Sequence, residues 1–165
     1  QECGVKMITV HGRTRCQLYN GKSDWEFISQ VKDAVSIPVI GNGDVVSVDD
    51  AKSMLETSRA DGVMIGRGSY GRPWFLNQVD VFLRTGERLP DPSLMRQKEI
   101  ALSHFWDMIE HHGISIGVRH ARKHLSWYSR GLKGSAEFRV SLNRLEDPQV
   151  VAEFVGAFYD RQEVC

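Results

Sequence analysis

The sequence predicts an α/β chain in which a few parallel strands alternate with helices and an all-helical segment follows. Short apolar stretches alternate with helical patterns over residues 1–88, an order typical of a parallel sheet with helices packed outside it. The sequence Leu89-Pro90-Asp91-Pro92 has the composition of a linker and ends this alternation. Residues 93–165 show only the apolar spacing of helices. We therefore expect two domains, 1–88 and 93–165, the second a small helical bundle.

Three short strands are expected in the first domain. The first covers Val5–Val10 and follows Gln1–Gly4, which resembles the last turn of a helix ended by a left-handed glycine. The second, Ile37–Ile40, is wholly apolar, as buried parallel strands are, and the third covers Asp61–Ile65. Because a helix end precedes the first strand and no initiator Met is present, we expect the chain to begin partway through a larger protein, with a processed N-terminus as the alternative.

Each of these strands is followed by a predicted helix. The sequence Ser23-Asp24-Trp25-Glu26 has the capping-box pattern and opens a helix to about Val35. Ser47, followed by two aspartates, starts the next helix. A glycine-rich loop, Gly66–Pro73, leads to a third helix that ends near Gly86.

Four helices are predicted in the second domain from their caps and their apolar spacing. They run from Ser93 to Gly113, from about Ile116 to Arg130, from about Ser135 to Leu145, and from Asp147 onward with Pro148 in the first turn.

The composition is that of an ordinary globular protein. Of the 165 residues, 41% are hydrophobic and 25% are charged, which excludes a disordered or low-complexity chain. No apolar run approaches the roughly 20 residues that span a bilayer, so we expect no membrane helix. The cysteines Cys3, Cys16 and Cys165 are odd in number and lack metal-ligand spacing, which favours a reduced, cytoplasmic protein without a metal.

Three strands cannot close a barrel, and a short parallel sheet leaves its edge strands without partners. In a larger protein the missing strands would come from upstream. In this chain alone we expect them to come from a second copy, through self-association at the open sheet edges, or the edges stay unsatisfied.

Polar residues follow all three predicted strands, at the edge where parallel α/β proteins bind ligands. His11 follows the first strand, Asn42-Gly43-Asp44 the second, and Gly66-Arg67-Gly68 the third. Glycines let the backbone approach an anion and Arg67 adds a fixed charge, so the last two loops predict a phosphate site. Asn42 and Asp44 can bind sugar-like hydroxyls, and His11 can donate to a ring carbonyl or a phosphate. From the residues alone, tight turns and a structural histidine remain alternatives, and the ligand is a phosphate-bearing cofactor or substrate.

The second domain contains a basic segment in a chain whose net charge is zero. Seven Lys and Arg but only one acidic residue lie between Gly113 and Leu145, a local charge of about +6. At about 100° per residue, one face of the predicted helix carries Arg119, Arg122, Lys123, Ser126 and Arg130. Another face carries Val118, Ala121, Leu125 and Tyr128. We therefore expect the basic face to point to solvent as a track for nucleic-acid phosphates, with an ordinary solvated face as the alternative.

Taken together, these motifs resemble the tRNA-dihydrouridine synthase family, particularly its bacterial B-type branch. In chain order the matching motifs are Ile8-Thr9-Val10-His11-Gly12-Arg13-Thr14-Arg15, Ile37-Pro38-Val39-Ile40-Gly41-Asn42-Gly43-Asp44, Met64-Ile65-Gly66-Arg67-Gly68, Gly71-Arg72-Pro73-Trp74 and Ala121-Arg122-Lys123-His124-Leu125-Ser126-Trp127-Tyr128.

The resemblance implies a protein about twice as long as this chain, with an FMN-binding TIM (β/α)8 barrel followed by a helical tRNA-binding domain. This chain then corresponds to the C-terminal part of the barrel and the helical domain. Enzymes of the family reduce the C5–C6 bond of particular uridines in tRNA. NADPH reduces FMN, the flavin passes a hydride to the base, and a cysteine protonates the other carbon.

By position, the resemblance implies roles for individual residues. The residues implied to contact FMN are His11, Asn42, Gly43, Asp44, Gly66 and Arg67, and the last two contact its phosphate. The residues implied to contact tRNA are Arg119, Arg122, Lys123 and Arg130. The family's catalytic cysteine and a flavin-contacting lysine belong to the half that this chain does not match. Because none of the cysteines here stands at that position, we expect the chain alone to be inactive.

Two other functions remain open from the sequence. Another FMN or sugar-phosphate barrel enzyme would explain the polar strand ends but leaves the basic helices unexplained. An RNA-binding module with an incomplete sheet would explain the basic helices without any reaction.

Overall fold

The computed structural model describes residues 1–18 and 20–162, and the chain divides into two compact units. The first unit holds residues 1–69 and 73–90, and the second holds residues 70–72 together with the chain from Asp91 onward. The sequence had not indicated that 70–72 belongs with the later helices. Cys165 lies outside the described residues.

Within the described residues the chain forms three strands and seven α-helices. The strands are β1 (Ile8–His11), β2 (Val39–Asn42) and β3 (Gly62–Met64). The helices are α1 (Trp25–Ala34), α2 (Val48–Ser58) and α3 (Phe75–Thr85) in the first unit, then α4 (Leu94–His112), α5 (Ile114–Tyr128), α6 (Ser135–Leu142) and α7 (Pro148–Asp160) in the second. All the predicted elements are present. Each strand begins one to three residues later than predicted. β1 and β2 also end later, at His11 and Asn42, and so reach into the polar motifs, whereas β3 ends at Met64, before its glycine-rich loop.

The strands form one parallel sheet in the order β1-β2-β3. His11 is the register partner of Asn42, and Asn42 is the register partner of Met64. The carboxyl ends of the three strands therefore lie side by side at one edge of the sheet. Among the described residues, the outer edges of β1 and β3 pair with no further strand.

The residue that caps α1 differs from the prediction. The carboxylate of Asp24 accepts a hydrogen bond from the backbone N–H of Phe27 at 2.8 Å, in the role that the capping-box pattern assigned to Ser23. The backbone N–H of Ser23 instead donates to Asp44, and its hydroxyl is buried without a hydrogen-bond partner among the described residues. The predicted caps of α2, α4 and α7 are confirmed at Ser47, Ser93 and Asp147.

The first unit buries two groups of apolar side chains against its helices. One group consists of Val45, Ala51, Met54, Phe75 and Val79, and the other of Ile28, Val39 and Ala60. Val39 is fully buried because it lies in the central strand β2, as its all-apolar sequence predicted. The core thus fixes β2, and with it the position of the polar loop that follows.

The second unit packs its helices around buried residues from all four of them. The predicted apolar face of α5 is confirmed, since Val118, Ala121, Leu125 and Tyr128 are all buried. Burial raises the pKa of Tyr128 to about 12, and its backbone carbonyl accepts from the hydroxyl of Tyr159 at 3.2 Å. No helix in the described part of the chain is long and apolar enough to cross a membrane.

Candidate functional site

The candidate site of the first unit is built around one carboxylate at the strand ends. Asp44, which follows β2, accepts two hydrogen bonds from the guanidinium of Arg13, at 2.7 and 2.6 Å. It also accepts from the backbone N–H of Ser23 at 2.8 Å. On the side of β3, the guanidinium of Arg67 lies 3.6 Å from the same carboxylate. Asp44 therefore ties together the loops that follow all three strands.

The electrostatics of this cluster keep Asp44 ionised. The hydrogen bond from Arg13 lowers the pKa of Asp44, assisted by the N–H of Ser23 and the charge of Arg67, while partial burial opposes them. The side chain of Arg13 is only 4% exposed, and it also donates to the backbone carbonyls of Asn20 and Gly21. Arg13 is thus a nearly buried cation that donates four hydrogen bonds to protein acceptors, two of them to Asp44. The sequence did not single it out beyond its place in the quoted motif.

His11, at the end of β1, has a defined tautomer when its ring is neutral. The backbone N–H of Arg13 donates to Nδ1 of His11 at 3.1 Å, so Nδ1 acts as the acceptor. The ring proton then belongs to Nε2, and the exposed ring presents an N–H donor. This is the role that the sequence predicted for His11, while the ligand it meets stays a prediction.

Asn42 and Gly43 shape the loop after β2. The side-chain amide of Asn42 donates to the carbonyl of Met64 at 2.7 Å and so links β2 to β3. Gly43 has φ +128, and a Cβ there would collide with the side chain of Ser23 and lie 3.2 Å from the ring of His11. Only glycine fits this position, which brings the loop against the imidazole.

The loop after β3 has the features of an anion site. A Cβ built on Gly66 meets no protein atom within 4 Å, so the backbone there faces open space. Arg67 is 47% exposed and follows directly, at the start of a single 3-10 turn that ends at Ser69. A Cβ on Gly68, in contrast, would collide with the carbonyl of Val45, so that glycine serves close packing. Gly66 and Arg67 thus offer open space and a positive charge to an anion, and their predicted contact with a cofactor phosphate stays a prediction.

The basic residues in and just after α5 differ in exposure. Arg119 and Lys123 in α5 are exposed, as predicted, and so is Arg130, although α5 ends at Tyr128 and Arg130 lies in the turn that follows. The prediction that Arg122 points to solvent is wrong: it is half-buried, and its guanidinium donates to the carbonyl of Leu145 at 2.6 Å. Helical spacing placed it on the basic face but could not show that the chain after α6 returns to cover it. Cys3 and Cys16 are exposed and free.

Sequence comparisons identify related proteins. A family model described as Dihydrouridine synthase (Dus) matches residues 1–163. A probable tRNA-dihydrouridine synthase of Rickettsia bellii is 52% identical over 159 residues, covering 96% of this chain and 49% of the relative. The tRNA-dihydrouridine synthase B of Pseudomonas putida is 43% identical over 162 residues, and that of Pseudomonas aeruginosa 40% over 163 residues, each match covering at least 98% of this chain. The chain spans about half the length of these curated relatives.

Proposed function

This chain belongs to the dihydrouridine synthase family, and from that premise we propose that the protein it represents reduces uridines in tRNA to dihydrouridine, with FMN as cofactor and NADPH as reductant. The names of the relatives support tRNA as the substrate. The parallel sheet has its strands in sequence order and, in the described part of the chain, two edges without a partner strand, which supports a place for the first unit within a (β/α)8 barrel.

We assign the FMN site to the carboxyl ends of the three strands. Gly66 and Arg67 would hold the phosphate, because the backbone of Gly66 faces open space and Arg67 supplies a half-exposed positive charge. His11 would donate from Nε2 to a flavin carbonyl, and the Asn42-Gly43-Asp44 loop would line the site between them. Since both oxygens of Asp44 accept from Arg13, its part is to hold the loop in place and keep Arg67 near it.

FMN, when bound, supplies the hydride that reduces the C5–C6 bond of uridine. The residues of this chain bind and orient the cofactor, and Nε2–H of His11 is the donor they direct toward it. The proton for the other carbon comes from a cysteine that we place in the half of the relatives outside this match. The chain alone is therefore expected to be inactive.

The second unit would bind tRNA. Arg119, Lys123 and Arg130 are exposed in a segment with a local charge of about +6, which suits a sugar-phosphate backbone. Arg122 is not included among the tRNA-binding residues because its guanidinium donates a hydrogen bond to the backbone carbonyl of Leu145. The proposed tRNA-binding residues are thus three of the four that the sequence indicated.

The observation that carries the proposal is the convergence of His11, Asp44 and Arg67 at the strand ends, within a chain of this family. The test is to incubate the full-length protein and the 165-residue chain separately with unmodified tRNA, FMN and NADPH, and to quantify dihydrouridine by nucleoside mass spectrometry. Product is expected from the full-length protein alone. Product from the isolated chain would contradict the placement of the proton donor, and no product from either would contradict the function.

A further inference from the structure

A stacked aromatic pair at the surface of the second unit leaves one of its rings partly exposed. The rings of Tyr70 and Trp127 stack with centroids 4.0 Å apart and planes 14° from parallel. Phe138 and Phe158 also stack, but both are almost fully buried and belong to the core. Tyr70, in contrast, keeps 40% of its surface exposed, although Trp127 covers one face of its ring.

The pair is held in a fixed position by the backbone beside it. Gly71 has φ +76, and a Cβ there would collide with the backbone carbonyl of Trp127, so the segment 70–72 lies directly on the end of α5. Glycine is required at this close approach. The ring of Tyr70 is therefore fixed before any ligand arrives, which reduces the entropy lost on binding.

Two cations lie beside the Trp127 ring of this pair. The Nζ of Lys123 lies 4.9 Å from the centroid of the Trp127 ring, and the guanidinium carbon of Arg130 lies 6.0 Å from it. Both side chains are exposed, and Glu137 is the one acidic residue between Gly113 and Leu145. An exposed aromatic face beside positive charge is the combination that proteins use to bind unpaired nucleotides, stacking the base and neutralising its phosphates.

We propose that Tyr70, supported from behind by Trp127, is a stacking platform for an unpaired RNA base, with Lys123 and Arg130 contacting the adjacent phosphates. This assignment rests on the proposed function and adds to it a base contact that the basic track does not provide. A stacked ring tolerates any base, so the platform recognises an unpaired nucleotide rather than a sequence.

The experiment measures binding of the 165-residue chain to a single-stranded oligouridylate and to an abasic oligonucleotide of equal length, by fluorescence anisotropy. Tyr70→Leu should weaken oligouridylate binding by between about 5-fold and 150-fold while leaving abasic binding unchanged. Tyr70→Phe keeps the ring and should bind both as the wild type does. Phe27→Leu removes an aromatic ring of similar exposure, 47%, and should change neither affinity.

Any other binding result contradicts the proposed stacking platform, and each such result has a different meaning. Equal losses for the two ligands in Tyr70→Leu mean that the residue supports the fold of the unit. Unchanged affinities in Tyr70→Leu mean that no base stacks there, and dihydrouridine formation by the full-length protein would still stand. If the wild-type chain binds neither ligand nor tRNA, both the platform and the proposed tRNA-binding track are wrong.

Discussion

Arg13 and Asp44 form a bidentate ion pair, 31 residues apart in sequence, that joins the loop after β1 to the loop after β2. The pair is nearly closed to solvent on the arginine side, where only 4% of the side chain is exposed. A buried guanidinium without its carboxylate is costly, because neither water nor another anion replaces the lost partner. The strand-end site therefore depends on this pair for its shape.

We predict that Asp44→Asn destabilises the chain, since it leaves the Arg13 guanidinium buried without a counter-charge. The free energy of unfolding should fall by about 1.5–3 kcal/mol, measured by urea denaturation. Asparagine is the suitable replacement because it tolerates the left-handed backbone of Asp44, at φ +58. The matched control is Asp33→Asn, which breaks the ion pair with Arg59 of equal length, 2.6 Å, between two side chains that are each 58% exposed. That control should cost less than about 1 kcal/mol, and equal losses would contradict the structural role of the Arg13–Asp44 pair.

The sequence predicted the strand-end loops but not the way they are joined. The alternation of apolar and helical stretches determined the elements, and the glycines and polar residues after each strand indicated the site. Asp44 was expected to face a ligand, because a sequence shows which residues follow a strand but not which of them bind each other. Its pairing with Arg13 spans 31 positions and is a tertiary contact. Ser23 is likewise not the cap of α1: Asp24 caps the helix, and the N–H of Ser23 donates to Asp44, a tertiary contact that the sequence does not show.

Gly66→Ala should separate cofactor binding from folding. A methyl group at this position meets no protein atom and needs no unusual backbone, so the free energy of unfolding should change by less than about 0.5 kcal/mol. The same methyl group would occupy the space proposed for the FMN phosphate, and flavin retention by the full-length protein should fall.

Arg67→Ala should weaken FMN binding by about 1.5–3 kcal/mol through loss of one charge-assisted contact. Flavin absorbance after gel filtration measures both, and full retention in either variant would contradict the phosphate assignment.

The stability of the second unit should depend on pH through His124. Burial lowers the pKa of His124 below its ordinary value of 6.5, and the neighbouring His104, Lys123 and His120 lower it further. The folded chain therefore releases this proton at a lower pH than the unfolded chain does. Between the folded pKa and about 6.5 the unfolded chain binds more protons, so stability is fully present above 6.5 and is lost as the pH falls.

The measurement is the urea midpoint of the chain at pH 7.5 and at pH 5.5. We expect a lower midpoint at pH 5.5, and a smaller difference between the two conditions in His124→Gln. NMR titration of the His124 ring should give a midpoint below 6.5 in the wild type. A midpoint at or above that value would contradict the prediction.

The salt dependence of tRNA binding should distinguish the exposed basic residues from Arg122, which is hydrogen-bonded within the protein. Arg119, Lys123 and Arg130 are exposed, and each phosphate contact releases counterions, so each substitution by alanine should flatten the log–log salt slope by roughly 0.7 to 0.9. Arg122→Ala is the matched control, in the same helix as Arg119 and Lys123, because its guanidinium donates to the carbonyl of Leu145 and its buried Nε has no hydrogen-bond partner in the described structure. It should lower the stability of the second unit by about 0.5–1.5 kcal/mol and leave the salt slope unchanged.

Filter binding of tRNA to the 165-residue chain at several salt concentrations measures the slopes. If the triple variant lacking Arg119, Lys123 and Arg130 keeps the wild-type affinity and slope, these residues form an ordinary solvated face. A slope change confined to Arg122→Ala would mean that its side chain leaves Leu145 to bind RNA, contrary to the role assigned here.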